Sequence, residues 1–239
     1  MKASCWAIIP ARSGSKGLKD KNITKFLDKV LIAHSINFAK KLSFVDKVFL
    51  STDSEKYAKI GLKFGAEVPF LRSSKASNDL SMEEDILEDI RIKCFNLDVI
   101  PPDNVIWLRP THPLRCLDTF QKAYKKFIQL KKSICVVSSV DPRIFLLQND
   151  GSFKNVVKKF DNKSMVRRQE CPVAFKIFFG EIFKFPKKYN DKFLGDNFDI
   201  VFQPKICDFD IDTMDDLNAI ENQVKSNKSF FRKYLHLSS

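Results

Sequence analysis

Three segments of this 239-residue sequence carry residue types at spacings that do chemistry. The first, Ile9-Pro10-Ala11-Arg12-Ser13-Gly14-Ser15-Lys16-Gly17-Leu18-Lys19-Asp20-Lys21-Asn22, follows an apolar run. It gathers two of only seven glycines with two serines, one arginine and three lysines. Glycine lets backbone N–H groups turn inward as an anion nest, and Arg and Lys neutralise phosphate charge. The order is not that of a Walker A loop, and as bare residues it also suits a solvated basic loop. The second segment runs from Cys207 to Asp216. On an extended strand Asp208, Asp210 and Asp212 share a face, and stacked carboxylates repel unless a cation neutralises them. Hard oxygens suit Mg²⁺, which shares its shell with substrate phosphates and water. The same residues also read as a helix cap at Asp212 or Thr213 with solvated neighbours. The third, Arg109-Pro110-Thr111-His112-Pro113-Leu114-Arg115, stiffens with proline a loop whose arginine forks fit carboxylate or phosphate. His112 has no Ser or Cys nucleophile beside it and reads as a structural or polar contact. The pair Arg167-Arg168, taken alone, indicates only exposure.

Periodicity supplies the elements that must hold these segments. Strands are expected over 5–9, 45–50, 66–71, 105–108 and 134–140. Helices are expected over 31–42, from a capping box at Thr52 to Glu55 up to Gly65, from a second box at Ser81 to Glu84 through Phe95, and over 118–130. The alternation calls for an α/β fold: a mostly parallel sheet with helices on both faces and ligands outside the carboxyl ends of its strands. Each chemically loaded segment follows a strand end. From 141 to 185 the rhythm changes. Asn149-Asp150-Gly151-Ser152 marks a hairpin turn, and Phe175 to Phe179 carries apolar bulk that suits a subunit contact. The expected division is an α/β domain over 1–140 and 186–239, with an inserted hairpin or dimerisation lobe over 141–185. Strands near 200–202 and 205–210 then precede a helix opened by Thr213 and running through Val224.

Composition limits the alternatives. With 44% hydrophobic and 29% charged residues, the chain is neither disordered nor collagenous. No stretch approaches the roughly 20 apolar residues that span a bilayer, and the apolar run at 5–10 lacks the body of a signal peptide. The six cysteines form no CxxC pair and have no His at zinc-ligand spacing. Reduced thiols and a cytoplasmic location are the expectation. The net charge of +12 is spread along the chain without a stripe of interleaved aromatics, so nucleic-acid binding is the weakest reading. The basic cluster at 225–233 reads as a solvated tail that carries His236 beyond it, and His34 as packing.

At these residues the sequence resembles the acylneuraminate cytidylyltransferase family (CMP-sialic acid synthetases and relatives acting on other nine-carbon acidic sugars). Residues 9–22 are similar to its IPAR-x-x-SKG-x-x-x-KN loop, Ser51-Thr52-Asp53 to its STD strand end, 109–115 to its [QR]PTSPLR loop, and Asp210-Ile211-Asp212-Thr213 to its DIDT motif. The order and spacing hold over about the whole chain. The resemblance implies a Rossmann-like domain with a dimerisation lobe, and a reaction of CTP with a 2-keto acidic sugar giving a CMP-sugar and pyrophosphate. It implies Mg²⁺ as cofactor and a homodimer, without membrane or nucleic acid. Arg12, Ser15 and Lys16 would hold the triphosphate, and Asn22 and Arg72 the nucleoside. Arg109, Arg168 and Gln169 would line the sugar site. Asp210 and Asp212 would bind metal, and Asp212, Arg12 and Lys16 would take part in catalysis. A metal-dependent glycosyltransferase using Asp210-Ile211-Asp212 is the alternative enzyme. The sequence departs from the family on the sugar side: His112 where Ser is common, Pro142-Arg143-Ile144 where a lysine follows the proline, and Phe178-Phe179-Gly180 where Asn precedes the glycine. If the two phenylalanines line the pocket, a deoxy or less polar acid is preferred over N-acetylneuraminate. Otherwise they belong to a dimer contact.

Overall fold

A computed structural model describes residues 3–157, 167–188 and 192–236. Along β1 (Cys5–Pro10) side chains alternate between two buried clusters: Cys5, Ala7 and Ile9 enter one, Trp6 and Ile8 the other. Helices α1 (Leu31–Ala39) and α4 (Leu117–Leu130) cover the first face through Ile32, Ile36, Phe120 and Phe127. Helix α3 (Glu83–Asn96) covers the second through Ile86, Leu87, Ile90 and Cys94. A third cluster joins Phe26, Leu31, Leu114 and Ile211 to α5 (Met214–Ser226) and α6 (Lys228–Leu235).

The sheet runs β10 (Phe198–Phe202), β6 (Ser133–Val140), β9 (Ala174–Lys184), β5 (Asn104–Trp107), β1, β4 (Lys47–Ser51). β9 is antiparallel to both neighbours, and every other pairing is parallel. The expected mostly parallel sheet between helices is therefore present. A short pair, β2 (Lys25–Phe26) with β3 (Lys29–Val30), precedes α1, and α2 (Glu55–Lys63) follows β4. The hairpin at 149–152 forms between β7 (Phe145–Leu147) and β8 (Phe153–Asn155).

Several expectations shift. Residues 174–184, expected within the inserted lobe, form the strand that joins the two parallel halves of the sheet. Aromatic density came from burial as much as from exposure: Phe179 and Phe183 are in the core, whereas Phe178 is 43% exposed. The strand expected over 66–71 is a single bridge of Glu67 to Phe49 at the sheet edge. The strand expected over 205–210 opens instead as a 3-10 turn, Lys205–Cys207, after Pro204. The cap of α2 is Ser54 rather than Thr52. At α3 the N-cap is Met82, and Asp85 returns to its N–H. The basic stretch read as a solvated tail forms α6, because Phe231, Tyr234 and Leu235 recur at helical spacing and bury. His236 is buried with it, bonded through Nε2 to the Arg115 carbonyl.

β9 also contains a bulge. Its register with β6 passes from Gly180 opposite Val136 to Lys176 opposite Ser138, so residues 177, 178 and 179 face the single Val137. Within it Phe178 adopts φ +79°, a left-handed conformation. Gly180 is required by packing, since a Cβ there would lie 2.5 Å from a ring carbon of Phe120 in α4.

Candidate active site

The carboxyl ends of β1 and β5 open into a cavity of about 490 Å³. Lys21 and Asn22 reach it from the loop after β1, Arg109 and His112 from the loop after β5, and Asp210 and Asp212 from the segment before α5. Three segments far apart in sequence thus meet at one site.

The loop after β1 is braced from two sides. Asp53, the acid of Ser51-Thr52-Asp53, accepts from the Ser13 amide at 2.8 Å and its hydroxyl at 2.9 Å. Asp20 accepts from the Tyr57 hydroxyl at 2.9 Å and Lys56 at 3.1 Å, both in the first turn of α2. These bonds hold the Asp20 carboxyl below its ordinary pKa. Neither glycine of the loop is left-handed, so the expected glycine-turned nest is absent among the described residues. Gly17 instead permits close approach: a Cβ there would lie 3.0 Å from the Asp212 carbonyl. Arg12 and Lys16 both bind one carboxylate, Asp79, at 2.8 Å each. Hydrogen bonds from Lys16 and Arg12 depress the Asp79 pKa. Ser15 bonds through its amide to the Ser13 carbonyl at 3.1 Å.

Asn22 is buried, with Nδ2 donating to the Arg12 carbonyl at 3.0 Å, so it fixes the arginine's backbone while lining the cavity. Arg72 is buried behind the end of β4, where Nε donates to the Ser51 hydroxyl at 3.0 Å. Desolvation lowers its pKa to about 10. It is not among the cavity's lining residues.

On the opposite wall Arg109 is clamped. Nη1 donates to Glu181 and Nη2 to Glu83, each at 2.6 Å, and its guanidinium lies 4.8 Å over the Phe178 ring. Burial works against the Arg109 charge, but Glu181 and Glu83 outweigh it and raise the pKa. Glu181, fully buried on β9, has its own pKa raised by desolvation against the pull of Arg109. Gln169 is exposed in a 3-10 turn, Arg168–Glu170, and does not line the cavity; the Arg168 side chain lies outside what is described.

Of the three aspartates, Asp208 pairs with Lys205. The turn at 205–207 breaks the alternation that would have aligned it with the others. Asp210 and Asp212 line the cavity on either side of the buried Ile211, whose amide bonds the Thr111 carbonyl at 2.9 Å. Lys21 bonds Asp212 at 2.7 Å, and His112 Nδ1 stands 3.7 Å from Asp210. His112 is buried and its pKa is pushed down to about 4 by desolvation, so it is neutral, held through Nδ1 to the Phe209 carbonyl at 3.0 Å. The two carboxylates fit Mg²⁺ as a donor set: hard, adjacent and open to the cavity, leaving further ligands to phosphate and water. No group of three metal-ligating side chains occurs among the described residues.

Asp79, Glu83 and Glu181 are site residues that the sequence reading does not identify. Glu181 had a legible signal, a lone acid within the apolar run Phe178 to Phe185. Asp79 had none, because a single acid in the polar stretch 73–81 looks like any surface residue.

A model of the cytidylyltransferase family matches residues 6–140. The chain is 31% identical over 241 residues to a pseudaminic acid cytidylyltransferase of Campylobacter jejuni, covering 95% of this chain and 98% of that protein. It is 36% identical over 152 residues to a CMP-N,N'-diacetyllegionaminic acid synthase of Legionella pneumophila, covering 64% and 65% of the two chains. Among solved structures, a CMP:2-keto-3-deoxy-manno-octonic acid synthetase complexed with CTP superposes with a TM-score of 0.65. It is 15% identical, with 94% of this chain and 99% of that one covered.

Proposed function

This chain belongs to the cytidylyltransferase family, and on that premise we propose that it condenses CTP with an acidic nine-carbon sugar to give the CMP-sugar and pyrophosphate. The observation that carries this is the convergence of Asn22, Arg109, Asp210 and Asp212 on one cavity, beside a loop bearing Arg12 and Lys16.

The triphosphate displaces Asp79 from Arg12 and Lys16, exchanging one carboxylate for several phosphate oxygens on the same cations. Asn22 and the buried Arg72 hold the loop and the end of β4 that face the nucleoside. The sugar hydroxyl oxygen attacks the α-phosphorus in line. The bond from that phosphorus to the bridging oxygen breaks, and pyrophosphate leaves against Lys16 and Arg12. The hydroxyl proton passes to Asp212, which Lys21 keeps oriented at 2.7 Å. Mg²⁺ held by Asp210 and Asp212 would polarise the α-phosphate and share the charge of the departing group. Positioning and charge stabilisation then suffice, without a covalent nucleophile.

Arg109 enters as part of the sugar-side wall, both its arms already engaged by carboxylates. Arg168 and Gln169 complete that side if residues 167–173 fold over the cavity when sugar binds. The hairpin of β7 and β8, with Phe145, Leu147 and Phe153 exposed, would dock on a second copy. Free cysteines and the use of CTP agree with a cytoplasmic enzyme. No helix among the described residues is long and apolar enough to cross a membrane. Pyrophosphate release measured with CTP across a panel of acidic sugars tests the reading; release with no member of the panel would refute it.

A further inference from the structure

The bulge in β9 places one large apolar side chain where the backbone resists it. A bulky residue at φ +79° is a steric outlier that glycine alone adopts freely. Such strain is retained where surroundings impose it, commonly at ligand sites. Here they are identifiable. Arg109 donates to the Phe178 carbonyl at 3.4 Å and stacks its guanidinium 4.8 Å over the ring. Glu83 and Glu181 fix Arg109 in turn. Phe178 remains 43% exposed and lines the cavity, whereas the adjacent Phe179 is 1% exposed in the core beside His112. The Phe178 ring is therefore a half-exposed aromatic surface on the cavity, fixed from behind by Arg109 and its two carboxylates.

We propose that Phe178 is a specificity-determining residue whose ring contacts an apolar part of the acidic sugar and disfavours a hydroxyl at that position. This rests on the cytidylyltransferase reading and names the substrate class within it. A hydroxyl buried against the ring loses its water without gaining a partner, while a methyl gains contact. Arg109 serves here as a positioning residue for the ring.

The test compares Phe178→Gly, Phe178→Ala and Phe178→Leu in the full chain, with kcat/KM measured for N-acetylneuraminate and for a deoxy nine-carbon acid. Gly and Ala both remove the ring, but only Gly relieves the left-handed backbone. Phe178→Gly is expected to melt roughly 2–4 °C above Phe178→Ala. Both should lose about 10–100-fold in kcat/KM for the deoxy acid and less than about 3-fold for N-acetylneuraminate. Phe178→Leu should retain part of the preference, and the Tm rise produced by CTP should be unchanged in all three. Equal losses on both sugars, or none, would overturn the proposal. If the unmodified chain converts no acidic sugar, the proposal falls with the reading beneath it; a surviving CTP-induced Tm rise would place that failure on the sugar side.

Discussion

Asp79 is a single carboxylate shared by the two cations expected to grip phosphate. It keeps Arg12 and Lys16 from repelling each other, and on the proposed reaction it leaves before triphosphate uses them. Asp79→Asn removes that competition and is expected to tighten CTP binding by roughly two- to fivefold, as suits an exposed ion pair. Titration calorimetry decides: weaker binding would make Asp79 part of the nucleotide site instead. Asp210→Asn and Asp212→Asn act in the other direction. Each should lower turnover by about 10²–10³-fold with little change in Tm, since relieving acid–acid repulsion does not harm the metal-free fold. Unchanged Mg²⁺-dependent turnover in both variants would sink the metal assignment. At this scale the sequence was informative where candidate residues clustered in one segment, as at Asp210 and Asp212, which line the cavity. It was silent where a partner came from elsewhere: nothing near Arg12 in sequence announces Asp79, 67 positions away.

Elements position these residues through a few local contacts. Thr213 caps α5 and Asp216 reaches back to the amides of Thr213 and Asp212, which fixes the backbone of the segment that carries Asp210 and Asp212. Gly180 seats β9 against α4. Gly180→Ala forces its Cβ into the fully buried Phe120 ring, an overpacking that should cost about 1–3 kcal/mol. The expected signature is a Tm lower by several degrees, together with reduced kcat/KM from the displaced bulge; an unchanged Tm would show that Phe120 yields freely. The junction of α6 with the loop after β5 brings a pH dependence. Burial, with Lys41, Arg115 and His34 nearby, lowers the His236 pKa to about 4 from the ordinary 6.5. Between those values the unfolded chain binds a proton that the folded chain does not, so stability is full above pH 6.5 and falls as pH drops toward 4. Tm measured across that range should decline, and His236→Gln should flatten part of the slope. Helix and strand periods made most of these elements legible. The strand expected at 205–210 but absent and the helix formed unexpectedly at 228–235 turn on Pro204 and on a basic face that hides a buried stripe.

Among the described residues, one group of exposed apolar side chains lies on the hairpin. Leu147 and Phe153 are cross-strand partners, 69% and 74% exposed. Replacing both with Asp should convert a dimer to a single-chain mass in light scattering, with CTP binding retained; a wild-type chain that is already monomeric would remove the hairpin from any assembly. The α/β architecture was readable from strand–helix alternation, because parallel strands buried on both faces leave apolar runs. The place of β9 was not readable, since an antiparallel strand carries no mark of which strands it will join. Its position has a consequence for how the chain acquires its structure. β1, β4 and β5 can pair as soon as residue 107 is available, and β6 is made shortly afterwards. Yet β6 has no neighbour in that half of the sheet until β9 arrives between them. Until then the facing edges of β5 and β6 are open, and closing them joins residues 104–107 to 181–184, a contact of long sequence separation. Such closure is slow and exposes unpaired edges. The late step in folding should therefore be insertion of β9, and a polypeptide ending at residue 140 should aggregate through those edges, although it contains nearly all the supports of the loop after β1.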